Sequence, residues 1–120
     1  MEFRRLPGEY RMVSDDGRYQ VVLLSTGPEG VRKFRLDGAG RHLDVDAVFV
    51  LDPVFEWQVI RIIEARGDDI TELAGPPSRR SDREIFDLVT RALTNFGYFY
   101  GDDAGRVAVS FVAHRIFRDP

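Results

Sequence analysis

Between residues 42 and 51 every second side chain is apolar. Leu43, Val45, Ala47, Phe49 and Leu51 share one face of an extended chain, while His42, Asp44 and Asp46 give way to Val48 and Val50 on the other. Successive Cβ atoms of a strand point to opposite faces, so the pattern predicts a strand with one wet face at first and both faces covered later. Shorter runs rich in Val, Leu, Phe and Tyr predict strands at Tyr10 to Ser14, Arg18 to Ser25 and Val31 to Leu36. Between them stand Asp15-Asp16-Gly17, Gly27-Pro28-Glu29-Gly30 and Asp37-Gly38-Ala39-Gly40, residues that accept positive φ or fix a bend. Strands joined by such short turns pair as antiparallel hairpins.

Residues 53–66 carry two conflicting signals, because Asp52-Pro53 could open a helix and Gly67 could close one. At about 100° per residue, Val54, Phe55, Trp57, Val59, Ile60, Ile62 and Ile63 scatter around the whole wheel and leave no polar stripe. The stretch therefore reads as a buried strand, with Arg61 on the face of Trp57, Val59 and Ile63. Arg66-Gly67-Asp68-Asp69 reads as the turn into Ile70 to Leu73.

Gly75-Pro76-Pro77-Ser78-Arg79-Arg80 is a loop, since consecutive prolines cannot donate to a ladder. Ser81-Asp82-Arg83-Glu84 has capping-box spacing, in which Ser81 and Glu84 satisfy each other's amides. Ile85, Phe86, Leu88, Val89, Ala92, Leu93 and Phe96 then fall on one arc, opposite Asp87, Thr90, Arg91, Thr94 and Asn95. Gly97 stands where a helix would end, so a helix is predicted from about Asp82 to Phe96. Tyr98 to Tyr100 and Arg106 to Phe117 read as a closing hairpin around Gly101-Asp102-Asp103-Ala104-Gly105. The predicted fold class is α+β: one domain over residues 1–120, with a mainly antiparallel sheet of about six or seven strands and one amphipathic helix on one face.

Composition changes this picture little and narrows the chemistry. A chain of 120 residues, 43% hydrophobic and 31% charged, can fill one core. Its net charge of −3 supplies no excess of cations to neutralise phosphates, so nucleic acid is not an expected partner. The basic side chains are Arg except for Lys33, a bias that fits the codons of a GC-rich, bacterial-type genome. The absence of Cys removes disulfides, thiolate metal sites and Cys nucleophiles. Met1 to Gly8 carries charges and then Pro-Gly, and Asp, Glu or Arg interrupts each apolar stretch. The expectation is a cytoplasmic chain without a membrane contact.

His42, Asp44 and Asp46 are the residues with metal-ligand chemistry on one strand face, but the same alternation belongs to any half-exposed strand. His114 stands alone in an apolar run. Asp15-Asp16, Asp68-Asp69 and Asp102-Asp103 each flank Gly in a turn, where Asp bonds nearby amides. Neither a phosphate-binding Gly-x-x-x-x-Gly-Lys-Ser/Thr nor a Gly-x-Ser-x-Gly elbow occurs. No catalytic or metal-ligating residue is assigned, and no cofactor is expected.

What remains is surface chemistry. Tyr98 and Tyr100 offer rigid contact area with polar tips, and Arg79 and Arg80 offer forked donors for an acidic surface. These four are the predicted binding residues of a small non-catalytic protein-binding module, such as an inhibitor, an immunity-type protein or an accessory protein. Its partner is another protein, and self-association stays open. The competing reading is a small enzyme or ligand carrier with a pocket between helix and sheet, using His114, Arg61 or the His42 and Asp44 face.

Overall fold

A computed structural model describes residues 2–7, 10–27, 30–50, 56–74 and 82–100. They form six strands, β1 (Phe3–Arg5), β2 (Arg11–Ser14), β3 (Tyr19–Thr26), β4 (Arg32–Gly38), β5 (Arg41–Val50) and β6 (Glu56–Glu64). A 3-10 turn, Thr71–Ala74, and one helix, α1 (Arg83–Tyr100), follow. Each strand pairs antiparallel with the next, so the sheet order is the chain order, as short turns between strands require. The fold is therefore the expected α+β meander with a helix on one face.

The turn between β2 and β3 shows why an acidic pair stands beside Gly. Ser14 Oγ donates to Asp16 Oδ1 at 2.7 Å and accepts from the Tyr19 amide at 3.0 Å. The Arg18 amide also donates to Asp16 Oδ1, at 3.0 Å. That amide first, and the Ser14 hydroxyl second, hold the Asp16 carboxyl below its usual range.

Along β5 the core-facing residues Leu43, Val45 and Ala47 are fully buried, as their spacing predicts. β6 keeps that alternation only in part. Asp46 pairs with Arg61, but Ala47 pairs with Val59, so Ile60 is an extra residue in β6. This bulge shifts the parity: Trp57 and Ile62 enter the core, whereas Arg61 turns to the open face and reaches Asp46 at 3.2 Å. The expectation that Arg61 shares a face with Trp57, Val59 and Ile63 holds for Ile63, which pairs with Asp44 on the open face, and fails for Trp57 and Val59. A simple two-residue period cannot reveal where one residue is added.

Two further segments differ from the sequence reading. β1 is a strand although residues 1–8 show no apolar alternation; Phe3 alone anchors it, 4% exposed, under the helix. Beyond the turn at residue 67, Asp69 makes only an isolated bridge to Ile63 before the chain closes into the 3-10 turn. There Asp69 Oδ1 accepts from the Thr71 amide and hydroxyl, at 3.1 and 2.7 Å, which favours the turn over a continued strand.

α1 begins one residue later than a Ser81 cap would place it. The Ile85 amide donates to Asp82 Oδ1 at 3.1 Å, and the Phe86 amide donates to the Asp82 carbonyl, so Asp82 is the N-cap. Its other oxygen, Oδ2, accepts from Arg41 Nη1 at 2.8 Å, while Arg41 Nη2 lies 3.1 Å from Glu64 Oε1. One guanidinium at the start of β5 thus ties the end of β6 to the start of the helix. Burial pushes the Asp82 carboxyl up, but Arg41 and the Ile85 amide outweigh it and hold the group below 3.8.

A folded-state pKa below the unfolded value means stability that is complete above the unfolded value and disappears as pH falls through the folded one. Asp82→Asn keeps a capping oxygen and removes the charge. Its stability deficit, measured by urea unfolding, is therefore expected to be constant above pH 3.8 and to vanish on acidification below that value. A deficit that persists unchanged in acid would show that the charge is not what Asp82 contributes.

At its other end the helix runs on. Gly97 is buried inside α1 instead of ending it, and Tyr98 to Tyr100 are helical instead of forming a strand. The apolar spacing explains this, because Phe99 and Tyr100 continue the row of Ala92, Leu93 and Phe96 and pack against the core. Burying those rings outweighs the roughly 1 kcal/mol that an interior Gly costs a helix. The Asp52-Pro53 and Pro76-Pro77 segments, Ser81 and the Arg106 to Phe117 hairpin lie outside the described residues.

Candidate functional site

α1 spans the sheet from one end to the other. Its first turn is held by Arg41 and by the Leu73 carbonyl, which accepts from the Asp82 amide, next to β5 and β6. About 25 Å further on, at 1.5 Å per residue, its last turn reaches β1 and β2. There Arg91 Nη1 and Asn95 Nδ2 donate to the Glu2 carboxylate at 3.1 and 3.3 Å, and Tyr100 Oη donates to the Arg11 carbonyl at 3.1 Å.

This second end gathers aromatic and basic groups. The Tyr100 ring meets Tyr10 edge-on at 5.0 Å and Phe96 at 5.0 Å, and the Arg5 guanidinium stacks over it at 4.8 Å. Tyr10 remains 54% exposed and Tyr98 63% exposed. Tyr98 lies one turn past Asn95 on the helix flank that carries Arg91 and Asn95.

On the opposite, open face of the sheet Arg4 pairs with Val13, and Arg11 stands two residues along the same strand, so the two guanidinium groups are diagonal neighbours. Arg4, Arg5 and Arg11 are exposed and have no ion-pair partner among the described residues.

The rest of the open face is balanced. Asp46 accepts from Lys33 at 3.0 Å and Arg61 at 3.2 Å, and Arg35 donates to Asp44 at 3.2 Å. His42 Nδ1 lies 2.7 Å from Asp37 Oδ1. His42, Asp44 and Asp46 thus each face their own partner across the sheet, and the three do not converge on a common point. Among the described residues, three arginines without an ion-pair partner thus stand together at the β1–β2 corner.

Of the predicted binding residues, Tyr98 and Tyr100 both belong to this corner. They do not share one face, because two residues of helix separate side chains by about 200°. Tyr98 points outward, while Tyr100 is half-buried and positions Arg5. Arg79 and Arg80 lie outside the described residues. Tyr10, Arg4, Arg5 and Arg11 were missed by sequence reasoning. The signal available for them was slight, a pair of arginines beside Phe3 and one Tyr at a turn.

Between helix and sheet the described aromatic residues pack closely. Phe34, Trp57 and Phe96 are at most 2% exposed, with Phe34 edge-on to Trp57 at 5.9 Å and to Phe96 at 4.8 Å. An open depression of about 560 Å³ lies outside β6, lined by Ile60 and residues 69–73. Its Asp69 carboxylate is occupied by the Thr71 hydroxyl and amide, which hold it below its usual range. No helix among the described residues is long and apolar enough to cross a membrane. No protein-family model matches this chain, and no curated protein or solved structure is significantly similar to it.

Proposed function

We propose that the chain is a small non-catalytic protein-binding module, of the inhibitor, immunity-type or accessory kind, whose contact surface is the corner built by Tyr10, Tyr98, Arg4, Arg5 and Arg11. One observation carries this reading: at the corner that carries two exposed tyrosines, three arginines have no counter-charge among the described residues, whereas Lys33, Arg35 and Arg61 on the open face are paired. Aromatic rings and Arg are the side chains on which interface energy concentrates, because they bury large area with little entropy loss and make forked hydrogen bonds. Tyr100 supports the surface from below by stacking under Arg5. The packing of Phe34, Trp57 and Phe96 between helix and sheet favours this reading over a ligand carrier.

The test compares capture of partners from the native host by the wild-type chain, by Tyr10→Ser with Tyr98→Ser, and by Arg4→Glu with Arg11→Glu. All these side chains are exposed, so circular dichroism should be unchanged. Capture of a stoichiometric partner should weaken at least tenfold, about 1.4 kcal/mol. Arg79→Glu with Arg80→Glu tests the second surface expected from the sequence. Capture that survives the corner variants would place the interface elsewhere.

A further inference from the structure

We infer that the β1 edge of this corner accepts an extended acidic segment of a partner protein as an added strand, an inference that rests on the protein-binding reading above. Among the described residues β1 is the end strand of the sheet. The Asp15 amide donates to the Glu2 carbonyl at 2.9 Å, and the Leu6 amide donates to the Arg11 carbonyl at 3.1 Å. In an antiparallel ladder this alternation turns Glu2, Arg4 and Leu6 toward β2 and turns the N–H and C=O groups of Phe3 and Arg5 outward. Neither Phe3 nor Arg5 meets a backbone partner on that side among the described residues. An edge of this kind is a template for one more strand.

Charge selects the occupant. On the open face Arg4 stands on the edge strand and Arg11 one strand inward on β2, and Arg5 lies on the helix face over Tyr100. A second copy of the chain would set its own Arg4 and Arg5 against these residues, and like charges placed opposite one another repel. A strand with Asp or Glu at alternate positions instead directs carboxylates toward Arg4 and Arg11, where forked, charge-assisted hydrogen bonds can form. The apolar residues between them then fall on the helix face, beside the Tyr100 ring and the aliphatic stem of Arg5. The net charge of −3 disfavours acidic segments over the surface as a whole, so attraction has to come from local groups such as these.

Amide hydrogen exchange of the full chain, followed by NMR, tests the inference with two short probes, an alternating Glu-Val peptide and an alternating Lys-Val peptide. In the free protein the Phe3 and Arg5 amides should exchange rapidly. The Glu-Val peptide should slow both by about tenfold or more, the Lys-Val peptide should not, and Arg4→Glu with Arg11→Glu should reverse the preference. Slow exchange of these amides in the free protein, an equal response to both peptides, or no response to Glu-Val would each overturn strand addition. The protein-binding reading fails separately: it is lost only when partner capture is insensitive to the corner variants. Strand addition fails alone when those variants abolish capture yet the two amides stay unprotected.

Discussion

Phe96→Ala is expected to lower the free energy of unfolding by about 3–5 kcal/mol, the range for removing a large buried ring. Phe96 is 2% exposed and touches groups from both layers of the molecule. Its ring lies 4.8 Å from Phe34, 6.4 Å from Trp57, 5.0 Å from Tyr100 and 6.3 Å from Tyr10. Those neighbours come from β4, β6, the last turn of α1 and the residue just before β2, so no single small shift can close the cavity. A domain of this size has about 5–15 kcal/mol of stability in total, and the variant should approach the threshold of folding. Phe99→Ala serves as the comparison, because its ring is only half-buried and should cost less. Urea denaturation of both variants decides the matter. Equal losses would mean that the helix-to-sheet contact does not centre on Phe96.

Gly38→Ala should be comparably severe for a different reason. Gly38 ends β4 opposite Tyr19, with φ at +149°, a region that side chains rarely adopt. A Cβ there would lie 1.9 Å from the Arg18 carbonyl oxygen and 2.7 Å from Tyr19 Cδ1. The first of these is backbone of the residue that leads into β3, and it cannot retreat without pulling Tyr19 out of the β3–β4 ladder. Backbone strain of about 1–3 kcal/mol and a steric term of about 1–3 kcal/mol together give roughly 2–6 kcal/mol. Gly40→Ala isolates the first term, since Gly40 has φ at +78° but nothing within 4 Å of its would-be Cβ. It should cost about 1–2 kcal/mol, the strain alone. If thermal unfolding gave the two variants the same loss, the close approach of Arg18 would have no energetic role.

The sequence by itself determined the meander, the β5 face and the existence of the helix. These rest on interactions within a few residues: alternation along Leu43, Val45 and Ala47, turn chemistry at Asp16-Gly17 and Gly38 to Gly40, and the stripe from Ile85 to Phe96. Local rules act over the same short range as the signals used to read them, which is why they were legible. Of the two tyrosines singled out by side-chain type alone, Tyr98 is exposed, whereas Tyr100 packs half-buried against the core.

Tertiary structure decided the rest, because the deciding contacts join distant parts of the chain. The Tyr100 hydroxyl reaches the Arg11 carbonyl, 89 residues away, and this end of the helix is held by rings that only the folded sheet supplies. Gly97 looked like a stop because its intrinsic cost is local, whereas the burial that outweighs it is not. The cap moved to Asp82 because Arg41, at the start of β5, fixes its second oxygen. The added residue at Ile60 turned Arg61 toward Asp46, a register choice made between two strands. The corner of Arg4, Arg5, Arg11 and Tyr10 came together only when β1 took its place at the sheet edge beneath the last turn of α1, since three residues with one apolar anchor have no pattern of their own.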